Sequence, residues 1–109
     1  MTKAYKYYSD PGHGWLAVKV SDLTKVGLYP ANITAYSYHR GGTVYLEEDC
    51  DMGSFITAYR STFGTDPRIT AKSTNKYSPI RSYASVRAAA DYMPLLQLYQ
   101  EENPEASNR

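Results

Sequence analysis

Four carboxylates stand within five positions, Glu47, Glu48, Asp49 and Asp51, around the single cysteine, Cys50. Clustered acids of this kind can hold a divalent cation through oxygen, or imitate the phosphate run of a nucleic acid. The spacing does not fit a calcium loop, which needs ligands at alternate positions and a distant bidentate Glu. Asp49 and Asp51 directly precede an apolar-periodic stretch, where carboxylates offset the helix dipole and cap its free N–H groups. They are therefore expected to be structural, and Glu47 and Glu48 to be contacts for a partner. The same acids should raise the pKa of Cys50 and suppress its thiolate, with a helix N-terminus acting in the opposite direction.

The turn Asp10-Pro11-Gly12-His13-Gly14-Trp15 is a second candidate. Asp10 could orient the His13 ring as in a catalytic pair, and a glycine-rich turn can cradle an anion on backbone N–H groups. The turn is not G-x-G-x-x-G, and it lacks the lysine and hydroxyl of a P-loop. Its simpler reading is a loop with glycine-set angles, anchored by Trp15. A metal-dependent hydrolase built on His13, Asp10 and the carboxylates lacks a complete set of nucleophile, base and oxyanion donor. One cysteine and two scattered histidines make no zinc cluster, so no metal and no cofactor is expected.

Arg68, Lys72, Lys76, Arg81 and Arg87, interleaved with Tyr77 and Tyr83, form a third candidate. Basic and aromatic neighbours suit single-stranded nucleic acid, through phosphate contact and base stacking. From 60 to 90 six cations face Asp66 alone, although the net charge of the chain is only +1. The near-neutral pI of about 7.8 is low for a dedicated nucleic-acid binder. The alternative is a solvated stretch whose charges answer the acidic corner.

These candidates need a scaffold, and the pattern supplies one. A chain of 109 residues is the size of one domain, expected to span 1–103 with a flexible tail at 104–109. The 12 tyrosines and the mean hydropathy of −0.55 describe an amphipathic surface rather than a large dry core. Lys3 to Tyr8 reads as a strand, and Trp15 to Val20 as another, with Leu16, Val18 and Val20 on one side and Trp15, Ala17 and Lys19 on the other. Ser21-Asp22 should cap a short helix that stops at Gly27. Ile33 to His39 and Thr43 to Glu48 read as a hairpin about Arg40-Gly41-Gly42, placing Tyr36, Tyr38 and Tyr45 along it.

Met52, Phe55, Ile56, Tyr59 and Phe63 make one apolar helical stripe, ended by Gly64. Arg68 to Ser73 is a further strand, and a second helix is expected from Ala84 or Ser85, kinked at Pro94. The fold class is α+β, a small and mainly antiparallel sheet with helices packed on one face. With no apolar run long enough to span a bilayer and no signal-like N-terminus, a soluble cytoplasmic protein is expected, without a membrane partner.

Three segments, S-D-P-G-H-G-W-L at 9–16, A-Y-S-Y-H-R-G-G-T-V-Y-L-E-E-D-C-D at 35–51 and S-P-I-R-S-Y-A-S at 78–85, together resemble a type of small accessory protein of bacteriophages and mobile elements. The resemblance implies action in the bacterial host cytoplasm and supplies no catalytic residue. The stretches at 3–8 and after 86 depart from it. By analogy with small phage proteins, the expected function is non-enzymatic binding of a host protein or nucleoprotein, in a counter-defence, anti-CRISPR-like or host-takeover role. The contacts would be Glu47, Glu48, Tyr36, Tyr38, Tyr45, His13 and Trp15. The alternative is nucleic-acid binding through 68–87, and open sheet edges leave room for a homodimer.

Overall fold

The computed structural model describes residues 4–29 and 32–86. Six strands form one sheet: β1 (Ala4–Ser9), β2 (Gly14–Lys19), β3 (Tyr38–Arg40), β4 (Thr43–Glu47), β5 (Arg68–Ser73) and β6 (Ala84–Ser85). They lie in the order β5-β1-β2-β4-β3-β6. All pairings are antiparallel except β1 with β5, which runs parallel over Ala4↔Arg68 to Ser9↔Ser73. Among the described residues two α-helices, α1 (Val20–Lys25) and α2 (Met52–Phe63), and a 3-10 turn, Pro79–Ser82, join the sheet in an α+β fold. Because β5 runs parallel to β1, the segment holding α2 must carry the chain from β4 past β2 and β1 to the far edge.

Side chains alternate across a strand, so the register sorts every strand position onto one of two faces. One face carries Tyr5, Leu16, Val18, Val44 and Leu46, which pack with Leu23, Ile33, Phe55, Tyr59 and Val86 into the core. Phe55 is wholly buried and meets Tyr5 edge-on, with ring centroids 5.2 Å apart. The α2 stripe is used unevenly: Phe55 and Tyr59 are buried, Met52 and Ile56 are half-buried, and Phe63 is exposed.

The β3–β4 turn is the Gly41-Gly42 pair, at φ 58° and 82°, the left-handed conformation a two-residue hairpin needs. Gly14 answers a different demand. A Cβ there would lie 1.8 Å from Tyr7 Oη, so the strand has room only for hydrogen.

Several expectations need correction. Strand β3 begins only at Tyr38, because 32–37 is held as a turn by side-chain bonds. Thr34 N–H and Thr34 Oγ1–H donate to the Asp51 carboxylate, as does Ser37 Oγ–H, and Ser37 Oγ accepts from Glu47 N–H. Asp51 thus occupies the N-cap position of α2 without capping it, its carboxylate committed to the 34–37 turn. Helix α1 starts one residue before Ser21, with Lys19 at its N-cap and no side-chain cap bond. Ala84–Ser85 is a strand paired with Tyr38 and His39 rather than a helix start. The helix expected beyond it, with Arg87 and Pro94, lies outside the described residues, as does the tail at 104–109.

Candidate functional site

The second face of the sheet is open over much of its width, and its composition follows from the register. One row across the strands reads Tyr38, Tyr45, Ala17, Lys6, Thr70, and its neighbour reads Glu47, Trp15, Tyr8, Lys72. The third carries Arg40, Thr43 and Lys19 at one side and Ala4 and Arg68 at the other. Lys6, Lys19, Arg40, Arg68 and Lys72 are therefore five exposed cations on one face. The only acid among the strand positions of that face is Glu47, which is buried. None of the five cations is ion-paired with a described residue.

Tyrosines occupy the middle of this face. Tyr8 and Tyr45 lie with ring centroids 6.4 Å apart, Tyr45 meets Tyr83 at 5.1 Å, and the Arg40 guanidinium sits 5.2 Å above the Tyr83 ring. Two concavities flank the Tyr8–Tyr45 pair. The shallower, of about 320 Å³, runs over Lys6, Ala17, Lys19 and Thr43 toward Asp22, which is itself 3.7 Å from Lys25 Nζ. The deeper, of about 480 Å³, lies between the sheet and the segment 72–83.

That segment is clamped onto the sheet by Asp10. Its Oδ1 accepts from Gly12 N–H and His13 N–H at 3.0 Å each and from Arg81 Nη2 at 2.7 Å. Its Oδ2 accepts from Ser78 N–H at 3.0 Å and from Arg81 Nε at 2.5 Å. The bidentate guanidinium, followed by the backbone N–H groups, holds the Asp10 carboxyl well below the ordinary carboxylate range. The Arg81 guanidinium also stacks 4.6 Å from the Tyr77 ring and 5.6 Å from that of Trp15. The backbone N–H groups of Gly12 and His13, which could have cradled an external anion, hold the chain's own Asp10, in keeping with the simpler loop reading. Asp10 and Arg81 are thereby committed to each other and to holding the 78–81 segment on the sheet.

The other expected contacts separate. Trp15, read both as the anchor of its loop and as a partner contact, is only 2% exposed, with the Arg81 guanidinium 5.6 Å from its ring. Glu47 is 7% exposed, with Oε2 accepting from Asp49 N–H and Oε1 3.8 Å from His13 Nδ1. Glu48 is exposed but accepts the Tyr7 hydroxyl proton. Burial, and then this bond, pushes the Tyr7 pKa up to about 12. Three of the four carboxylates of the acidic corner, Glu47, Glu48 and Asp51, thus accept hydrogen bonds inside the fold, and the Asp49 side chain makes none with a described residue. Cys50 is exposed, its thiol pushed up by desolvation and then by the Glu47 carboxylate.

Tyr36 is 68% exposed on the 32–37 turn and stands apart from the hairpin strands. Tyr38 packs near Trp15, and Tyr45 joins the central tyrosines, its pKa raised mainly by burial. His13 is exposed at the rim of this face. Of the basic stretch, Arg68 and Lys72 belong to the open face, and Lys76 lines the deeper pocket. Arg87 lies outside the described residues.

Sequence reasoning passed over Lys6, Tyr8 and Arg40 as contacts. The signal was the Lys-x-Tyr alternation at 6–8, the same period that set Lys19 opposite the core. Among the described residues no three His, Cys, Asp or Glu side chains gather as a metal site, and no helix is long and apolar enough to cross a membrane.

What the geometry defines is a small α+β protein with one core face and one cationic tyrosine face. Comparison with protein-family models, curated proteins and solved structures finds no match to this chain.

Proposed function

We propose that this chain is a non-enzymatic accessory protein, of bacteriophage or mobile-element type, that binds single-stranded nucleic acid on the open face of its sheet. The observation that carries the reading is the register: five cations and the Tyr8–Tyr45 pair share one face, and the acid at a strand position there is buried. Unpaired bases offer π-faces to tyrosines, and the flanking phosphates need mobile cations on either side. A sheet face presents both at strand spacing. Its site of action would be the bacterial cytoplasm.

The test is anisotropy of a labelled short oligothymidylate at low salt, with a duplex of equal length as comparator. Tight binding of the single strand, weakened by Lys6→Ala and Lys72→Ala, supports the reading. No binding at low salt removes it.

A second reading has an observation of its own. Tyr36 and Tyr77, at 68% and 81% exposure, are large side chains projecting where a protein partner could cover them. A host nucleoprotein inhibited in a counter-defence role would engage both these tyrosines and the cationic face. Affinity purification from host lysate, with and without nuclease, separates the two. A protein retained after nuclease and lost with Tyr36→Ala and Tyr77→Ala favours the second.

A further inference from the structure

The deeper pocket has a chemistry narrower than that of the face around it. Its floor is Tyr8 and Tyr45 from the sheet, and its wall is Ile80 and Tyr83 from the clamped segment. Lys72 and Lys76 stand at one side, and among the described residues no Asp or Glu lines it. Lys72 opposes Tyr8 in the β1–β5 register, so a cation lies one strand spacing from the aromatic floor. The volume of about 480 Å³ falls within the range of small-molecule sites, roughly 300–1,000 Å³.

We infer that this pocket seats a single nucleotide, its base against the Tyr8, Tyr45 and Tyr83 rings and its phosphate at Lys72 and Lys76. The inference deepens the nucleic-acid reading and rests on it for the strand that continues over the open face. It also stands separately, because a free nucleoside monophosphate carries both halves of the recognition. The Asp10–Arg81 pair is what makes a pocket here rather than a flat sheet. It fixes the 78–81 turn above Tyr8 without lending either charge to the ligand. A tyrosine-lined cleft favours a planar ring, and cations on one side favour a ring that carries an anion on that side.

The experiment is titration of the full chain with uridine 5′-monophosphate, adenosine 5′-monophosphate, ribose 5-phosphate and inorganic phosphate, followed by amide and aromatic NMR shifts. A parallel arm measures an oligothymidylate against the same backbone lacking bases. The nucleotides should shift Tyr8, Tyr45, Ile80 and Tyr83 saturably at millimolar concentration, and ribose 5-phosphate should bind at least about tenfold more weakly. Lys72→Ala with Lys76→Ala, both at exposed positions, should weaken the nucleotides about tenfold while the spectrum stays folded. Equal shifts from ribose 5-phosphate or phosphate would reduce the site to an anion patch and overturn the inference. So would the absence of any shift at these residues. If the oligothymidylate binds better than the base-free backbone while the nucleotides shift none of these residues, the pocket inference falls and the open-face reading survives. If the base-free backbone binds as well, no base is stacked and both fall. If the nucleotides bind but no oligonucleotide does, the pocket stands and the open-face reading falls.

Discussion

The salt dependence of single-strand binding can be worked from the register. If Lys6, Lys19, Arg40, Arg68 and Lys72 each meet one phosphate, log K should fall with log salt at a slope of about 3.5, since each contact on a single strand contributes about 0.7. Raising salt from roughly 50 to 200 mM then weakens binding about a hundredfold. The triple variant Lys6→Ala, Lys19→Ala and Lys72→Ala leaves two contacts. Its slope should drop to about 1.4, so that the same change in salt costs only about sevenfold. All three side chains are exposed and unpaired among the described residues, so the fold should be retained, checked by circular dichroism. Arg60→Ala is the control. Arg60 lies on α2 and pairs with Asp66 at 2.5 Å, away from the open face, so its loss should leave the slope unchanged. Anisotropy titrations at several salt concentrations give both slopes. A folded triple variant with the wild-type slope would refute the assignment of phosphate contacts to this face.

Four further outcomes test the scaffold. Asp10 has a folded pKa depressed below its ordinary 3.8, so its stabilisation is full above that value and is lost as pH falls through the lower folded pKa. Asp10→Asn should therefore lower the melting temperature at neutral pH and flatten the acid side of the stability profile below about pH 4. A parallel downward shift at every pH would contradict the linkage. Asp51→Ala strips the acceptor from Thr34 and Ser37, and a cost of about 1–3 kcal/mol per stranded donor is expected by urea denaturation. Gly14→Ala pushes a methyl into Tyr7 Oη and should cost about 1–3 kcal/mol in the same assay. Trp15 is the only tryptophan and is buried, so iodide should quench the native fluorescence poorly, and Arg81→Ala should raise the quenching as the 77–83 segment loosens.

Local pattern carried much of the architecture. The alternation of Leu16 and Val18 against Ala17 and Lys19 marked β2 and its core side, and the Gly41-Gly42 pair marked the hairpin. The stripe around Phe55 and Tyr59 marked α2, with Gly64 ending it at φ 74°. These features are readable because they depend on backbone period and on conformations few residues adopt. Where side chains compete with the backbone, the reading failed. Residues 33–37 have strand composition, yet Thr34 and Ser37 bond to a carboxylate far along the chain, and the strand is shortened.

The candidate contacts show the same division. The sequence by itself determined the α+β class, the tyrosine-rich hairpin and the supply of cations between 60 and 90. Only the tertiary structure decided which charges are available. Arg81 is spent on Asp10 and Glu48 on Tyr7, across separations of 71 and 41 residues that no local pattern encodes. Lys6 and Lys72 become neighbours on one face because β5 pairs in parallel with β1, a choice made by the path of α2 across the sheet. Charge composition is a property of the chain, whereas a charged surface belongs to the register. The acidic corner was conspicuous in the sequence because its residues are contiguous there. The cationic face was not, because its five cations come from four strands.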